Sequence, residues 1–123
     1  MDRIPVLLID DDAFLARIYS EKLESQGYDV HLAGSGEEGL KLAEREVPAC
    51  VLLDILLPGA DGFEILEKFK GNPAMSHVPV IMVSSLGQRE DVEKARSLGA
   101  AGYLIKSHIL PQDVVNKVKE VLK

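Results

Sequence analysis

Five short apolar runs punctuate the chain: Val6 to Ile9, Tyr28 to Leu32, Cys50 to Leu53, Val78 to Val83 and Gly102 to Ile105. Each has the length of a β-strand. The first, third and fourth are dominated by Val, Leu and Ile, the pattern of strands covered on both faces, as in a parallel sheet. The second is less apolar and alternates, which predicts an edge strand. Helical stretches separate them at 12–26, 36–46, 62–70 and 89–98, and a last helix is predicted at 110–122. In that last helix, Leu110, Val114, Val118 and Val121 fall within one arc at roughly 100° per residue, with Val115 and Leu122 at its edge. Gln112, Asp113, Asn116, Lys117 and Glu120 occupy the other side, so the helix is expected to dock by one face. The fourth helix has only Val92, Ala95 and Leu98 as an apolar stripe, which predicts a loosely held element. Gly27 and Gly99 are placed to end the first and fourth helices in a left-handed conformation. Gly71-Asn72-Pro73 reads as an ordinary loop.

Strict alternation of strand and helix gives a (βα)₅ α/β fold, a doubly wound parallel sheet with right-handed crossovers, built as one unit over residues 1–123. Composition narrows the class. Apolar residues make up 46% of the chain and charged residues 28%, as in a globular protein. A net charge of −6 argues against direct binding to nucleic acid. The apolar stretch Val6 to Ile9 is too short for a signal peptide or a membrane span and runs straight into three aspartates, so a cytoplasmic protein is expected. The single cysteine, Cys50, fits a reducing compartment and reads as a buried thiol beside an apolar strand. His31, His77 and His108 are dispersed without ligand-like spacing and read as solvated positions.

In doubly wound sheets, sites form at the carboxyl ends of strands near the point where the strand order reverses. Here those ends carry Asp10-Asp11-Asp12, Asp54, Ser84-Ser85 and Lys106. Two carboxylates about 4 Å apart repel by roughly 4 kcal/mol at an effective dielectric of 20, so acids gathered on one rim call for a cation. All-oxygen ligands select a hard metal such as Mg²⁺. Asp10 to Asp12 alone are also what a helix N-cap would show; Asp54 at the end of a separate apolar strand changes the balance. After Asp54 comes Ile55-Leu56-Leu57-Pro58-Gly59-Ala60-Asp61-Gly62, a loop suited to tight turning and close backbone approach. A carboxylate nucleophile, a metal, a fixed ammonium and a hydroxyl donor together make equipment for phosphoryl transfer through an aspartyl phosphate.

The whole chain resembles the response-regulator receiver domain. The motifs are Leu7-Leu8-Ile9-Asp10-Asp11-Asp12, Leu52-Leu53-Asp54-Ile55 with Leu57-Pro58-Gly59 and Asp61-Gly62-Phe63-Glu64, Pro79-Val80-Ile81-Met82-Val83-Ser84, and Gly99-Ala100 with Gly102-Tyr103-Leu104-Ile105-Lys106. The resemblance implies a flavodoxin-like five-stranded sheet in the order 2-1-3-4-5. It implies Asp54 as phosphoacceptor, Asp11 as direct metal ligand, Asp10 as an acid acting through water, and the Leu56 carbonyl as a further ligand of Mg²⁺. It also implies Ser84 as the hydroxyl that turns to the phosphoryl group, Lys106 as its ammonium partner, and Tyr103 as an aromatic rotamer switch. Many receivers have a proline in a cis bond after the lysine. Here Ser107 follows, so the resemblance does not give the geometry of that loop.

The implied function is a phosphorylation-dependent switch in a two-component phosphorelay, charged by a histidine kinase or phosphotransfer protein. Such a protein is not a turnover enzyme: it catalyses only its own phosphorylation and dephosphorylation. Output is expected through the face of the fourth helix, fifth strand and last helix, with homodimerisation there as one form of it. With Lys123 as the last residue, the chain reads as a stand-alone receiver or a piece of a longer protein. Two alternatives compete: a haloacid-dehalogenase-like phosphohydrolase, suggested by the Asp-x-Asp spacing but lacking the later acidic pair, and a pseudo-receiver that keeps the fold without phosphorylation. In the family the chain resembles, the residues two after the acceptor and two after the hydroxyl residue flank the path of the attacking water; here they are Leu56 and Leu86. Neither side chain can orient a water, which predicts slow loss of the phosphoryl group.

Overall fold

The apolar runs pair into one parallel sheet. In the computed structural model, which describes residues 3–123, the strands are β1 (Ile4–Ile9), β2 (Tyr28–Ala33), β3 (Cys50–Leu53), β4 (Val80–Ser84) and β5 (Gly102–Ile105). They lie in the order β2-β1-β3-β4-β5, with every neighbouring pair parallel. The helices between and after them are α1 (Ala13–Glu24), α2 (Gly36–Arg45), α3 (Gly62–Gly71), α4 (Arg89–Ser97) and α5 (Pro111–Val121). The expected flavodoxin-like (βα)₅ architecture is therefore the observed one.

Alternate residues of the central strands feed two cores, as the period of two in a strand requires. Leu7, Ile9, Val51, Leu53, Val80 and Met82 pack with α2, α3 and α4 on one face. Val6, Leu8, Cys50, Leu52, Ile81 and Val83 pack with α1 and α5 on the other. Because both faces are covered, β3 and β4 are buried at every residue, which is why these runs show no alternation. β2 is an edge strand, as expected, with Leu32 exposed.

Several boundaries shift for identifiable reasons. β1 begins two residues early, at Ile4, because the Pro5 carbonyl still accepts a hydrogen bond from Ala49 N–H. β4 begins at Val80, after Pro79, and runs on to include Ser84. α1 starts after its cap, where Asp12 accepts from Leu15 N–H. Gly27 and Gly99 adopt the left-handed conformation, with φ of 98° and 99°.

Three expectations are corrected. Leu110 does not join the buried stripe of α5: it is the extended residue preceding the helix, so helical periodicity does not govern its side chain, and it is 70% exposed. Val115, placed at the edge of that stripe, is instead fully buried beside Val114 and Val118. His31 is not simply solvated. It pairs in register with Leu7 beneath α2 and is half-buried, with Nε2 covered and 3.3 Å from Asp29. His77 and His108 are exposed, as expected.

Cys50 has no accessible surface, and burial pushes its thiol pKa up to about 12. From about pH 9 upward the unfolded chain gives up this proton while the folded chain keeps it, so folding stability falls as pH rises. The cysteine's contribution to that fall is at most about 1.4 kcal/mol per pH unit. Denaturant titrations between pH 8 and 11 are expected to show a steeper loss for the parent than for Cys50→Val. Parallel profiles would contradict a thiol held neutral by burial.

Candidate functional site

The chain order reverses between β1 and β3: β1 continues through α1 to β2 on one side, while β3 and β4 lie on the other. The residues after these two strands extend the sheet by one step. Asp10 N–H donates to the Ala33 carbonyl and Asp54 N–H to the Ile9 carbonyl, both at 3.0 Å. Two carboxylates are thereby fixed by backbone register at the carboxyl rim, and both are buried.

Side-chain geometry completes the cluster. Asp54 Oδ1 accepts from Leu56 N–H at 3.1 Å, and Oδ2 accepts from Lys106 Nζ at 2.9 Å. Asp10 Oδ1 accepts from Asp12 N–H at 2.9 Å, and its Oδ2 lies 2.8 Å from the same ammonium. Lys106 thus reaches from the end of β5 to the ends of both β1 and β3. Burial works against its charge, but the hydrogen bonds to Asp10 and Asp54 outweigh burial and hold its pKa above the usual value. For Asp10, burial outweighs the pull of Lys106 and raises the carboxyl pKa.

Ligand oxygens of Asp10, Asp11 and Asp54 lie within 4.8 Å of one another. At that separation each pair of ionised carboxylates repels by roughly 3.5 kcal/mol at an effective dielectric of 20. One ammonium against three carboxylates leaves two negative charges uncompensated. Asp10 Oδ2 is buried, with the Lys106 ammonium at 2.8 Å as its counter-charge. An all-oxygen cluster with a double negative excess fits a small divalent cation.

The loop after β3 explains how Asp54 is held. Leu56 and Asp61 form an antiparallel bridge, Gly59 turns at φ 76°, and the Asp61 side chain caps α3 by accepting from Phe63 N–H at 2.7 Å. A Cβ on Gly62 would come within 2.3 Å of the Asp54 carbonyl oxygen and 2.4 Å of Ile55 Cα. Only glycine lets α3 begin directly against the strand end.

Ser84 and Tyr103 meet on Leu86. Ser84, the last residue of β4, has no accessible surface, and its Oγ accepts from Leu86 N–H at 3.2 Å. The Tyr103 hydroxyl donates to the Leu86 carbonyl. Burial, helped by the charges of Asp91 and Asp54, pushes the Tyr103 pKa up to about 12, so the phenol remains a donor at neutral pH. Sequence reasoning named both side chains but missed this shared peptide, because a backbone acceptor leaves no signature in residue type.

Around the acids opens a cleft of ≈ 580 Å³ lined by Asp11, Asp12, Leu15, Asp54, Leu56, Ser85, Lys106 and Ser107. Leu56 is 51% exposed there, whereas Leu86 is partly buried against the core. Lys106 to His108 form one 3₁₀ turn, and every peptide bond among the described residues is trans, including that joining Lys106 to Ser107. None of the three histidines borders the cleft.

Comparison with known proteins agrees with this geometry. The response regulator receiver domain family matches residues 6–119. The chain is 34% identical to the alkaline phosphatase synthesis transcriptional regulatory protein PhoP of Bacillus subtilis, over 96% of this chain and 48% of that protein. Among solved structures, a CheY-like receiver domain protein from Methanospirillum hungatei is 34% identical, with a TM-score of 0.87, over 98% of this chain and 94% of the other. The Mn²⁺-bound form of response regulator Rcp1 is 25% identical, with a TM-score of 0.80, over 96% and 91%. The chain spans half or less of the length of the curated relatives it matches. With this match across nearly all its length, the chain belongs to the response regulator receiver domain family of two-component signalling.

Proposed function

We propose that this domain is a phosphorylation-dependent switch that accepts a phosphoryl group on Asp54 from a phosphohistidine donor, a histidine kinase or phosphotransfer protein. The observation that carries the reading is Lys106 joined to both Asp10 and Asp54, beside Asp11, at the mouth of an open cleft. In the transfer, an Asp54 carboxylate oxygen bonds to phosphorus as the bond from phosphorus to the donor nitrogen breaks. The electron pair of that bond stays on the imidazole. Lys106 then pairs with a phosphoryl oxygen, and Leu56 N–H keeps Asp54 oriented. Asp10, Asp11, Asp54 and the Leu56 carbonyl would hold Mg²⁺, which neutralises phosphoryl charge when bound; that the relative Rcp1 binds Mn²⁺ supports a divalent cation in this family. Phosphorylation by a small acyl phosphate is expected to be abolished by Asp54→Asn and by a chelator. Incorporation that survives either would refute the assignment.

The signal passes through Leu86. As Ser84 turns to the phosphoryl group, the Leu86 N–H loses its acceptor, and the same peptide holds Tyr103 through its carbonyl. Movement of this segment reaches α4, which buries only Ala95. Shifting a two-state equilibrium from 1:99 to 99:1 needs roughly 5.5 kcal/mol of differential binding, whereas a hydrogen bond to a charged group contributes about 1.5–3 kcal/mol. Phosphorylation alone therefore gives a partial shift, completed by a partner or by homodimerisation through the α4/β5/α5 face. Beryllofluoride with Mg²⁺ is expected to move the amide resonances from Leu86 to Leu104 while leaving those of β2 in place. Unmoved resonances in the first segment would exclude this route.

The lifetime of the phosphorylated state follows from the cleft wall. Leu56 is apolar and exposed at the mouth, and Leu86 flanks the neighbouring surface with it. Neither aligns a water for attack in line with the phosphorus. Decay is expected to be slow in the parent and roughly tenfold faster in Leu56→Asn, a barrier change of about 1.4 kcal/mol, with a smaller effect from Leu86→Glu because Leu86 is partly buried. Equal decay in all three proteins would remove these positions from the mechanism.

A further inference from the structure

The cleft wall carries two neutral hydroxyls, Ser85 and Ser107, both exposed and both bordering the same space as Asp54 and Lys106. They differ from Ser84, which is fully buried and already accepts a hydrogen bond from Leu86. Among the described residues, no protein hydrogen bond engages the Ser85 or Ser107 hydroxyl, so each is free for something that enters the cleft. The other polar groups on the wall are committed. Asp12 caps α1, Lys106 pairs with Asp10 and Asp54, and Asp11 belongs to the acidic cluster. Leu15 and Leu56 supply only apolar surface.

Ser107 is the better anchored of the pair. It sits in the 3₁₀ turn Lys106–His108, immediately after a lysine fixed at 2.8 and 2.9 Å to two carboxylates, whereas Ser85 lies in the irregular segment between β4 and α4. A hydroxyl both donates and accepts. It can therefore accept a hydrogen bond from a water molecule and turn the water's lone pair toward phosphorus, which neither leucine can do.

Resting on the phosphoacceptor reading above, we propose that the Ser107 hydroxyl positions the water that hydrolyses the Asp54 phosphate, and so sets the decay that remains in a cleft otherwise poor in water-orienting groups. In that step the water oxygen bonds to phosphorus and the bond from phosphorus to the Asp54 oxygen breaks. Its electron pair returns to the carboxylate, and both water protons leave on dihydrogen phosphate. Ser107 keeps its own proton throughout. It acts by holding the water, as a positioning residue, and its loss should change hydrolysis without changing how well the site receives a phosphate-like anion.

The test compares the parent with Ser107→Ala, Ser107→Thr and Ser85→Ala. Each is phosphorylated with a small acyl phosphate and Mg²⁺, freed of donor, and followed by loss of label; beryllofluoride affinity is measured on the same proteins. The expected result is decay at least threefold slower in Ser107→Ala, decay near the parent's in Ser107→Thr and Ser85→Ala, and beryllofluoride affinity within twofold throughout. Parent-like decay in Ser107→Ala overturns the proposal while leaving the phosphoacceptor reading intact. So does a loss of beryllofluoride affinity that matches the change in decay, since it would make Ser107 a ligand of the phosphoryl group or a structural residue. A parent that takes no label overturns the phosphoacceptor reading, and this proposal with it.

Discussion

A single ammonium held between two buried carboxylates is the constraint on which the rest of this molecule is arranged. Lys106 approaches Asp10 and Asp54 within 2.9 Å or less, and a third acid, Asp11, lies beside them. Removing one member of such a group leaves a buried charge without its partner, which typically costs several kcal/mol. The group is nevertheless undercompensated, because one positive charge faces three negative ones. The excess is an unfavourable feature of the isolated fold, and positive charge arriving at the rim would relieve it. Binding and stability are therefore coupled at this rim by electrostatics alone.

Tolerating that excess requires rigidity elsewhere. β1 and β3 pair within the sheet, and the sheet hydrogen bonds run one residue past each strand to fix Asp10 and Asp54. Gly62 lets α3 close directly on the Asp54 carbonyl. The opposite side of the site is built differently. The segment from Ser84 to α4 is held by one peptide, that of Leu86, between a serine acceptor and a tyrosine donor. α4 adds only one buried residue, Ala95. A stiff half that holds charge and a lightly packed half that responds to it is the division a switch needs, since a small local change moves only the part with little packing to lose.

Much of this was legible in the chain itself. Continuous aliphatic runs gave the central strands because burial on both faces leaves no polar alternation, and β2 showed its edge position by alternating. The acids and Lys106 were legible because strand ends in a parallel sheet share one rim. Leu110 misled because periodicity holds only inside a helix, and the residue before Pro111 is extended. His31 misled because its covering comes from α2, which folds back over β2 and leaves no periodic signal at the histidine itself. The Leu86 peptide was not legible at all; Ser85 was placed at the rim and Ser107 noted after Lys106, but neither as a free hydroxyl on the cleft wall. Backbone polarity is the same for every residue, and serine at a strand end is ordinary until its neighbours in space are known.

The trans bond before Ser107 bears on how the two halves are joined. Lys106 follows β5 directly, as the first residue of the 3₁₀ turn, so its ammonium is carried just beyond the strand that presents Tyr103 to Leu86. A change in what Lys106 pairs with at the rim and a change in what Tyr103 meets three residues earlier are thus mechanically linked along one edge strand. That strand is only partly buried throughout, unlike β3 and β4. It has the freedom to adjust by small displacements that the central strands lack, while the ion pairs of Lys106 tie it to the acids. Lys106 at the rim and Tyr103 beneath Leu86 thus lie on one continuous stretch of chain, three residues apart.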